Sequence, residues 1–354
     1  MHTVEQALAA QAVSCENAGS PLYATLLHGL LDDHRAGGIT TSLLEGVSDH
    51  PIHDALPLRY LATAHRLALT HVVPGLAGHY PTCGGRWDGT DAVVASFLEA
   101  TSNNVAELTA GLHRNVQTNE VGRAAALASG FSWIAARTGL PIDQLEVGCS
   151  AGILSRWDHF GYDTGESRHG DPTSTVQFGP DWWTNESHAS LPDLAAGATV
   201  TRRRASDISP IDITTADGRT TMESFIWPDQ LARLQRLRAA MAAARAVPLS
   251  LEQGDAGTWL GRHLADGPIN GAATVVFHSI VWQYLPGETR NTLRAVLAAA
   301  GERATRQAPL FWMRMEPATA AHADLRVTCW PGGETVHLAD VGYHGADVRW
   351  RARP

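Results

Sequence analysis

The sequence contains no lysine: all 27 basic residues are arginine. That absence excludes a lysine Schiff base and a P-loop lysine. The cations that remain are planar guanidinium forks, suited to carboxylate, phosphate or sulfate. A GC-rich coding sequence accounts for the same bias without any functional reason. Cysteine is scarce, and Cys15, Cys83, Cys149 and Cys329 show no C-x-x-C spacing. Reduced thiols are expected rather than a disulfide framework or a zinc knuckle. No run of 18 apolar residues occurs, and "MHTVEQALAAQAVS" has no basic stretch leading into an apolar one. Neither a membrane span nor a signal peptide is expected. Basic blocks are also missing and the formal charge is -9, which argues against a general nucleic-acid binder. A soluble, cytoplasmic protein acting on small molecules is the expectation.

What is present is enough apolar residue, 44% of 354 positions, for a domain with a large extension or for two domains. Apolar spacing is helical from residue 1 to about 140, as in "SPLYATLLHGLLDD", "LPLRYLATAHRLALTHVV", "DAVVASFLEATSNNVAELTAGLHR" and "VGRAAALASGFSWIAARTG". Ser20-Pro21 reads as a helix N-cap followed by its first residue. From 141 to 354 the period changes. "QLEVGCS", "ATVTRRRAS", "PLSLEQGD", "ATVVFHSIVWQYL" and "PLFWMRME" alternate with helical runs, including one from about 152. That alternation predicts an α/β, Rossmann-like, doubly wound sheet. "LRVTCWPGGETVHLA" and "ADVRW" predict an antiparallel edge turning through Pro331-Gly332-Gly333. Residues 164–198, rich in Gly, Pro and Ser with two adjacent tryptophans, read as an insertion or lid.

"LEVGCSAGIL" (145–154) has two readings. G-x-S-x-G is a hydrolase nucleophile elbow, with His344 and either Asp255 or Asp340 completing a triad. Read one frame wider, Glu146, Gly148, Ser150 and Gly152 approximate the strand end and glycine turn that cradle a nucleotide-like cofactor. Order favours the second, because an elbow follows several strands whereas this motif lies on the first. Asp207, after the next strand, is placed to accept ribose hydroxyls, or else to cap the segment after it. Asp255 in "GDA" occupies the adenine-side position frequent in class I methyltransferases. The fourth strand delivers His278, Trp282 and Tyr284 to the carboxyl edge. His278 reads as a base or as a satisfied core histidine. Tyr284 and Trp282 read as a substrate-orienting hydroxyl and an aromatic wall, or as packing. Arg314 and Glu316 end the next strand, as an anion-binding pair or a structural one. The local His/Asp clusters at 49–54 and at His65 and His71 match no strong zinc spacing, so no metal is assigned.

"VQTNEVGR" (116–123), "LEVGCSAG", "WPDQLARLQRLRAA" (227–240), "VVFHSIVWQYLP" (275–286), "RMEP" (314–317), "LRVTCWPGGE" (325–334) and "YHG" (343–345) resemble successive blocks of the bacterial domain-of-unknown-function family 2332. The resemblance implies a helical N-terminal region on a class I methyltransferase-like domain. It also draws Gln117, Asn119, Glu120 and Arg123 toward the active-site crevice, as substrate contacts with Glu120 a candidate acid–base. Otherwise these residues would be a solvated helical ion-pair cluster. Where the family has S-A-G-L-N, this chain has Ser150-Ala151-Gly152-Ile153-Leu154; where it often has R-R-G-x-D, Arg203-Arg204-Ala205-Ser206-Asp207 lacks the glycine.

Three functions follow as expectations. One is S-adenosylmethionine-dependent methyl transfer to a polar metabolite. Another is cofactor-independent ring closure that expels sulfate or phosphate from an amino-acid-derived intermediate of secondary metabolism. The last is a non-catalytic partner subunit. Either a homo- or a hetero-oligomer is compatible with these.

Overall fold

The computed structural model describes residues 2–117, 119–187, 191–192, 198–319 and 321–352. The chain divides into two compact units, Met1–Thr118 with Ile211–Arg238, and Asn119–Pro210 with Ala239–Pro354. The division does not follow a cut at residue 140. Helix Ala124–Thr138 belongs to the second unit, and the segment 211–238 returns to the first.

The first unit is helical, built on Val4–Asn17, Pro21–Arg35, Ile39–Leu44, Leu56–Leu69, Ala92–Asn103, Val105–Leu112 and Ala216–Ser224. The helically spaced run from 91 to 114 is interrupted at Asn104, whose backbone leaves helical geometry at φ -137° and ψ 41°. In helix 21–35, Leu22, Leu26 and Leu30 recur every fourth residue and are fully buried, one stripe facing the core. They pack in one cluster with Tyr60, Phe97, Leu108 and Trp227. The helix start is held from far away in sequence: Ser20 Oγ donates to Asp229 Oδ1 at 2.6 Å, and Leu22 N–H donates to Asp229 Oδ2 at 3.1 Å. His65 is completely buried in this unit. Its Nδ1 lies 3.1 Å from the Ser224 carbonyl and its Nε2 2.7 Å from Thr82 Oγ1.

The second unit is α/β. Its strands are β1 (Ile142–Val147), β2 (Gly161–Asp163), β3 (Arg168–Gly170), β4 (Gln177–Phe178), β5 (Val200–Asp207), β6 (Ser250–Gln253), β7 (Ala273–Ser279), β8 (Leu310–Pro317), β9 (Ala323–Trp330), β10 (Glu334–Val341) and β11 (Arg349–Trp350). Among the described residues no strand precedes β1. Eight strands form one sheet in the order β11-β10-β9-β8-β7-β1-β5-β6. Pairing is parallel from β8 to β6 and antiparallel from β8 to β11. Counted in chain order, the five parallel strands run 3-2-1-4-5, the order of a doubly wound fold. β1 and β7 lie in the interior and are buried along their whole length, as expected where a parallel sheet is covered on both faces. The insertion forms a small sheet, β3-β2-β4. Trp183 bridges to Val348, and its indole N–H donates to Ser129 Oγ at 3.2 Å. Residues 188–190 and 193–197 of that insertion lie outside the described residues. No helix among the described residues is long and apolar enough to cross a membrane.

Candidate functional site

After β1 the chain builds outward to β5 and β6, then returns to the other side of β1 with β7 and β8. The carboxyl ends of β1 and β7 therefore flank a topological switch point, where such sheets open a crevice. The turn at its floor has three left-handed residues, Gly148 (φ 67°), Ser150 (φ 53°) and Gly152 (φ 66°). For Ser150 that conformation costs roughly 1–2 kcal/mol. The cost is met locally: Ser150 N–H donates to Asp207 Oδ2 at 2.7 Å, and Gly148 and Cys149 N–H both donate to the Ser206 carbonyl. Asp207 Oδ1 accepts Ser209 N–H at 2.8 Å, so the end of β5 fastens the turn. Asn119 holds its other side, donating to the Cys149 carbonyl at 2.9 Å and accepting Ile153 N–H at 3.2 Å.

The expected helix after the turn is instead a 3-10 segment, Leu154–His159, kinked at Arg156 (φ -108°, ψ 18°). Six residues of this geometry align few peptide dipoles, so the turn lacks the helix field that gathers anions elsewhere. Arg156 explains the departure. Its buried guanidinium donates to the Gly152 and Ala151 carbonyls and to that of Val247, taking acceptors that a helix would use. The space granted by the glycines is also occupied by the protein. A Cβ at Gly148 would lie 2.5 Å from Val281 Cγ1, and one at Gly152 would lie 2.3 Å from Leu249 Cδ2. Beneath the turn, buried Glu146 accepts Ser155 Oγ–H at 2.5 Å. Burial pushes its carboxyl up to about 8, with Ser155 and Arg156 pulling the other way.

Across the switch point, Arg123 reaches the end of β7. Its Nη1 lies 3.3 Å from the Ser279 carbonyl, and its Nε donates to the Tyr343 carbonyl at 3.2 Å. Residues 119–123 are not the regular helix that the spacing suggests, but a 3-10 turn, Val121–Arg123, whose Gly122 N–H is accepted by Glu120 Oε1. The reason is backbone contact with the "YHG" block. A Cβ at Gly345 (φ +92°) would lie 2.2 Å from Gly122 C and O. Ile280, next to Ser279, is also left-handed (φ 51°), a costly state for a β-branched residue and one that clusters at functional sites. Nothing in the sequence signalled it.

The other candidates divide. His278 stands at the end of β7, but both ring nitrogens are engaged: Nδ1 lies 2.6 Å from Glu316 Oε1, and Nε2 accepts the Trp312 indole N–H at 3.0 Å. An indole can only donate, so the imidazole proton is on Nδ1 and no lone pair is left for a substrate. Glu316 also accepts Val281 and Trp282 N–H, so it organises the loop after β7 and does not pair with Arg314. Arg314 lies over the Trp312 ring, 4.2 Å from its centroid, and donates to Thr328 Oγ1. Trp282 stacks on His278 with ring centroids 5.5 Å apart, and Tyr284 is 42% exposed. Asp255 is at the carboxyl end of β6 as expected, where it caps helix Ala256–His263 through Thr258 N–H and accepts Thr289 Oγ–H at 2.7 Å. The Thr258 amide leads the contacts that hold its carboxyl below the usual range. Asp340 is bound to Arg351, so neither acid considered for a hydrolase triad stands unengaged. Gln117 is buried and belongs to the first unit, whereas Asn119, Glu120 and Arg123 belong to the second.

No curated protein and no solved structure matches the chain. One family model does, over residues 5–350, and its description is an uncharacterized protein conserved in bacteria. That match runs through both units, from the first helix to β11, and includes every block that meets at the switch point. The chain belongs to this bacterial family, DUF2332.

Proposed function

We propose that the chain is a small-molecule enzyme working at the switch-point crevice, and that it closes a ring within an anionic, amino-acid-derived substrate without a bound cofactor. The observation that carries this reading is the engagement of Asp207, whose two oxygens already accept Ser150 and Ser209 N–H. A ribose would compete for that carboxylate, and the glycine faces beside it are covered by Val281 and Leu249. Arg123 supplies a cation at the crevice. In the reaction, the substrate's own amine attacks carbon and a carbon–oxygen bond breaks. Sulfate or phosphate leaves with the electron pair, held by guanidinium, and Glu120 takes the amine proton. Positioning does most of the work, because fixed near-attack geometry can supply much of the barrier reduction.

A second reading, S-adenosylmethionine-dependent methyl transfer, is favoured by the 3-2-1-4-5 strand order and the left-handed turn at the first strand's end. Calorimetry of the full chain with S-adenosylmethionine and its demethylated product separates the two. Absence of binding at millimolar ligand, with sulfate or phosphate released from a candidate substrate, supports ring closure. Micromolar binding of either ligand replaces it with methyl transfer. Failure of both, with a stable complex recovered from cells, points to a partner subunit.

A further inference from the structure

The antiparallel end of the sheet carries a second cluster of chemistry-bearing side chains. β10 runs in the same direction as β8, with β9 antiparallel between them. The start of β9 and the end of β10 therefore share the carboxyl edge of β8. In one cross-strand row Glu316 faces Asp324, and Asp324 faces Asp340. Directly opposed like charges destabilise a sheet unless cations compensate them. The two aspartates are compensated in a divided way. Oδ2 of Asp324 accepts Arg326, and Oδ2 of Asp340 accepts Arg351. The Oδ1 atoms face imidazole: Asp324 Oδ1 lies 3.6 Å from His322 Nε2 and 3.5 Å from His337 Nε2, and Asp340 Oδ1 lies 3.0 Å from His337 Nε2. Donor atoms of His322, Asp324 and Asp340 all lie within 4.8 Å of one another.

We infer that His322, Asp324 and Asp340 form a binding site for a divalent transition-metal ion such as zinc, with His337 beside it against both carboxylates. Ligands about 2.0–2.2 Å from a tetrahedral ion stand about 3.3–3.6 Å apart; His322 Nε2 and Asp324 Oδ1 are 3.6 Å apart, and all three donors fall within 4.8 Å of one another. An imidazole among the donors disfavours calcium and magnesium. The surrounding contacts are those that orient ligands: the arginines fix each carboxylate through its other oxygen, and Thr319 Oγ1 holds His322 Nδ1 at 3.0 Å. Nε2 of His337 also lies 3.1 Å from the Ala339 carbonyl. The histidines are about one-third exposed, which leaves an entry path. This site lies away from the turn after β1 and does not rest on the proposed reaction.

The test is calorimetry of the chelator-treated full chain with zinc. Binding of one ion is expected. His322→Ala and Asp340→Asn should each weaken it at least tenfold, while His53→Ala, at the exposed His53–Asp54 pair, leaves it unchanged. Absence of binding, or affinity in both site variants equal to that of the unaltered chain, overturns the inference. Should those variants fail to fold, the unaltered chain decides: zinc should protect His322 from diethyl pyrocarbonate, read by mass spectrometry, and equal labelling with and without zinc refutes the site.

Discussion

Asp207 Oδ2 lies 2.7 Å from the Ser150 amide nitrogen and Oδ1 lies 2.8 Å from that of Ser209, so one carboxylate ties the turn after β1 to the loop after β5. Charged hydrogen bonds contribute roughly 1.5–3 kcal/mol each. Asp207→Asn keeps the shape but sets an amide N–H against a backbone N–H. A stability loss of about 1–3 kcal/mol is expected, read as a fall in melting temperature. An unchanged melting curve would remove the fastening role.

Glu146 gives a signed pH prediction. Its folded carboxyl is raised to about 8 from an ordinary 4.5. Between those values the folded chain holds the extra proton, so stability falls as pH rises, by up to about 1.4 kcal/mol per unit. Glu146→Gln should abolish that fall between pH 5 and 8 in denaturant titrations. A wild-type and variant pair with parallel pH curves contradicts it.

The first unit should respond in the opposite sense. Burial lowers His65 to about 4 from 6.5, only partly offset by the Ser224 and Ile226 backbone. The unfolded chain then binds the proton more readily. Stability contributed by the neutral ring is complete above pH 6.5 and is lost as pH falls toward 4. His65→Asn is expected to lower stability at pH 7 yet flatten the acid limb, as followed by far-ultraviolet circular dichroism.

Gly345 allows the backbone of "YHG" to touch that of Gly122. Gly345→Ala combines a left-handed alanine with a 2.2 Å clash against backbone atoms. Roughly 2–4 kcal/mol of destabilisation is expected, measured by denaturant midpoint. Gly333→Ala, also at positive φ but with no backbone atom near its Cβ, should cost less.

His278→Gln tests whether the ring is structural. Loss of its contacts to Glu316 and Trp312 should lower the melting temperature. Once a turnover assay is in hand, the pH–rate profile between 5 and 8 should keep its shape. Disappearance of a limb near neutral pH would make His278 a base after all.

Much of the architecture was legible because period and order are local properties. The first strand, the left-handed turn and the acid at the end of β5 follow from "LEVGCS" and "RRRASD". What escaped depends on partners distant in sequence. Arg156 takes the carbonyls of Ala151, Gly152 and Val247, which shortens the expected helix to a 3-10 segment. His278 reads as a base until Trp312 and Glu316, 34 and 38 residues away, occupy its nitrogens. Likewise the segment 211–238 looks like part of the strand–helix alternation, yet packs with the helical unit through Trp227 and Asp229.

Asp229 sets a timetable for synthesis. The amide of Leu22 depends on a carboxylate 207 residues downstream, and at about 5–20 residues per second a ribosome takes roughly 10–40 s to produce it. During that interval the emerging N-terminal helices have neither their distant cap nor the Trp227 ring that completes their core. The helical unit therefore closes only after its distant segment has been made, and shortening the polypeptide before residue 238 leaves it unfinished.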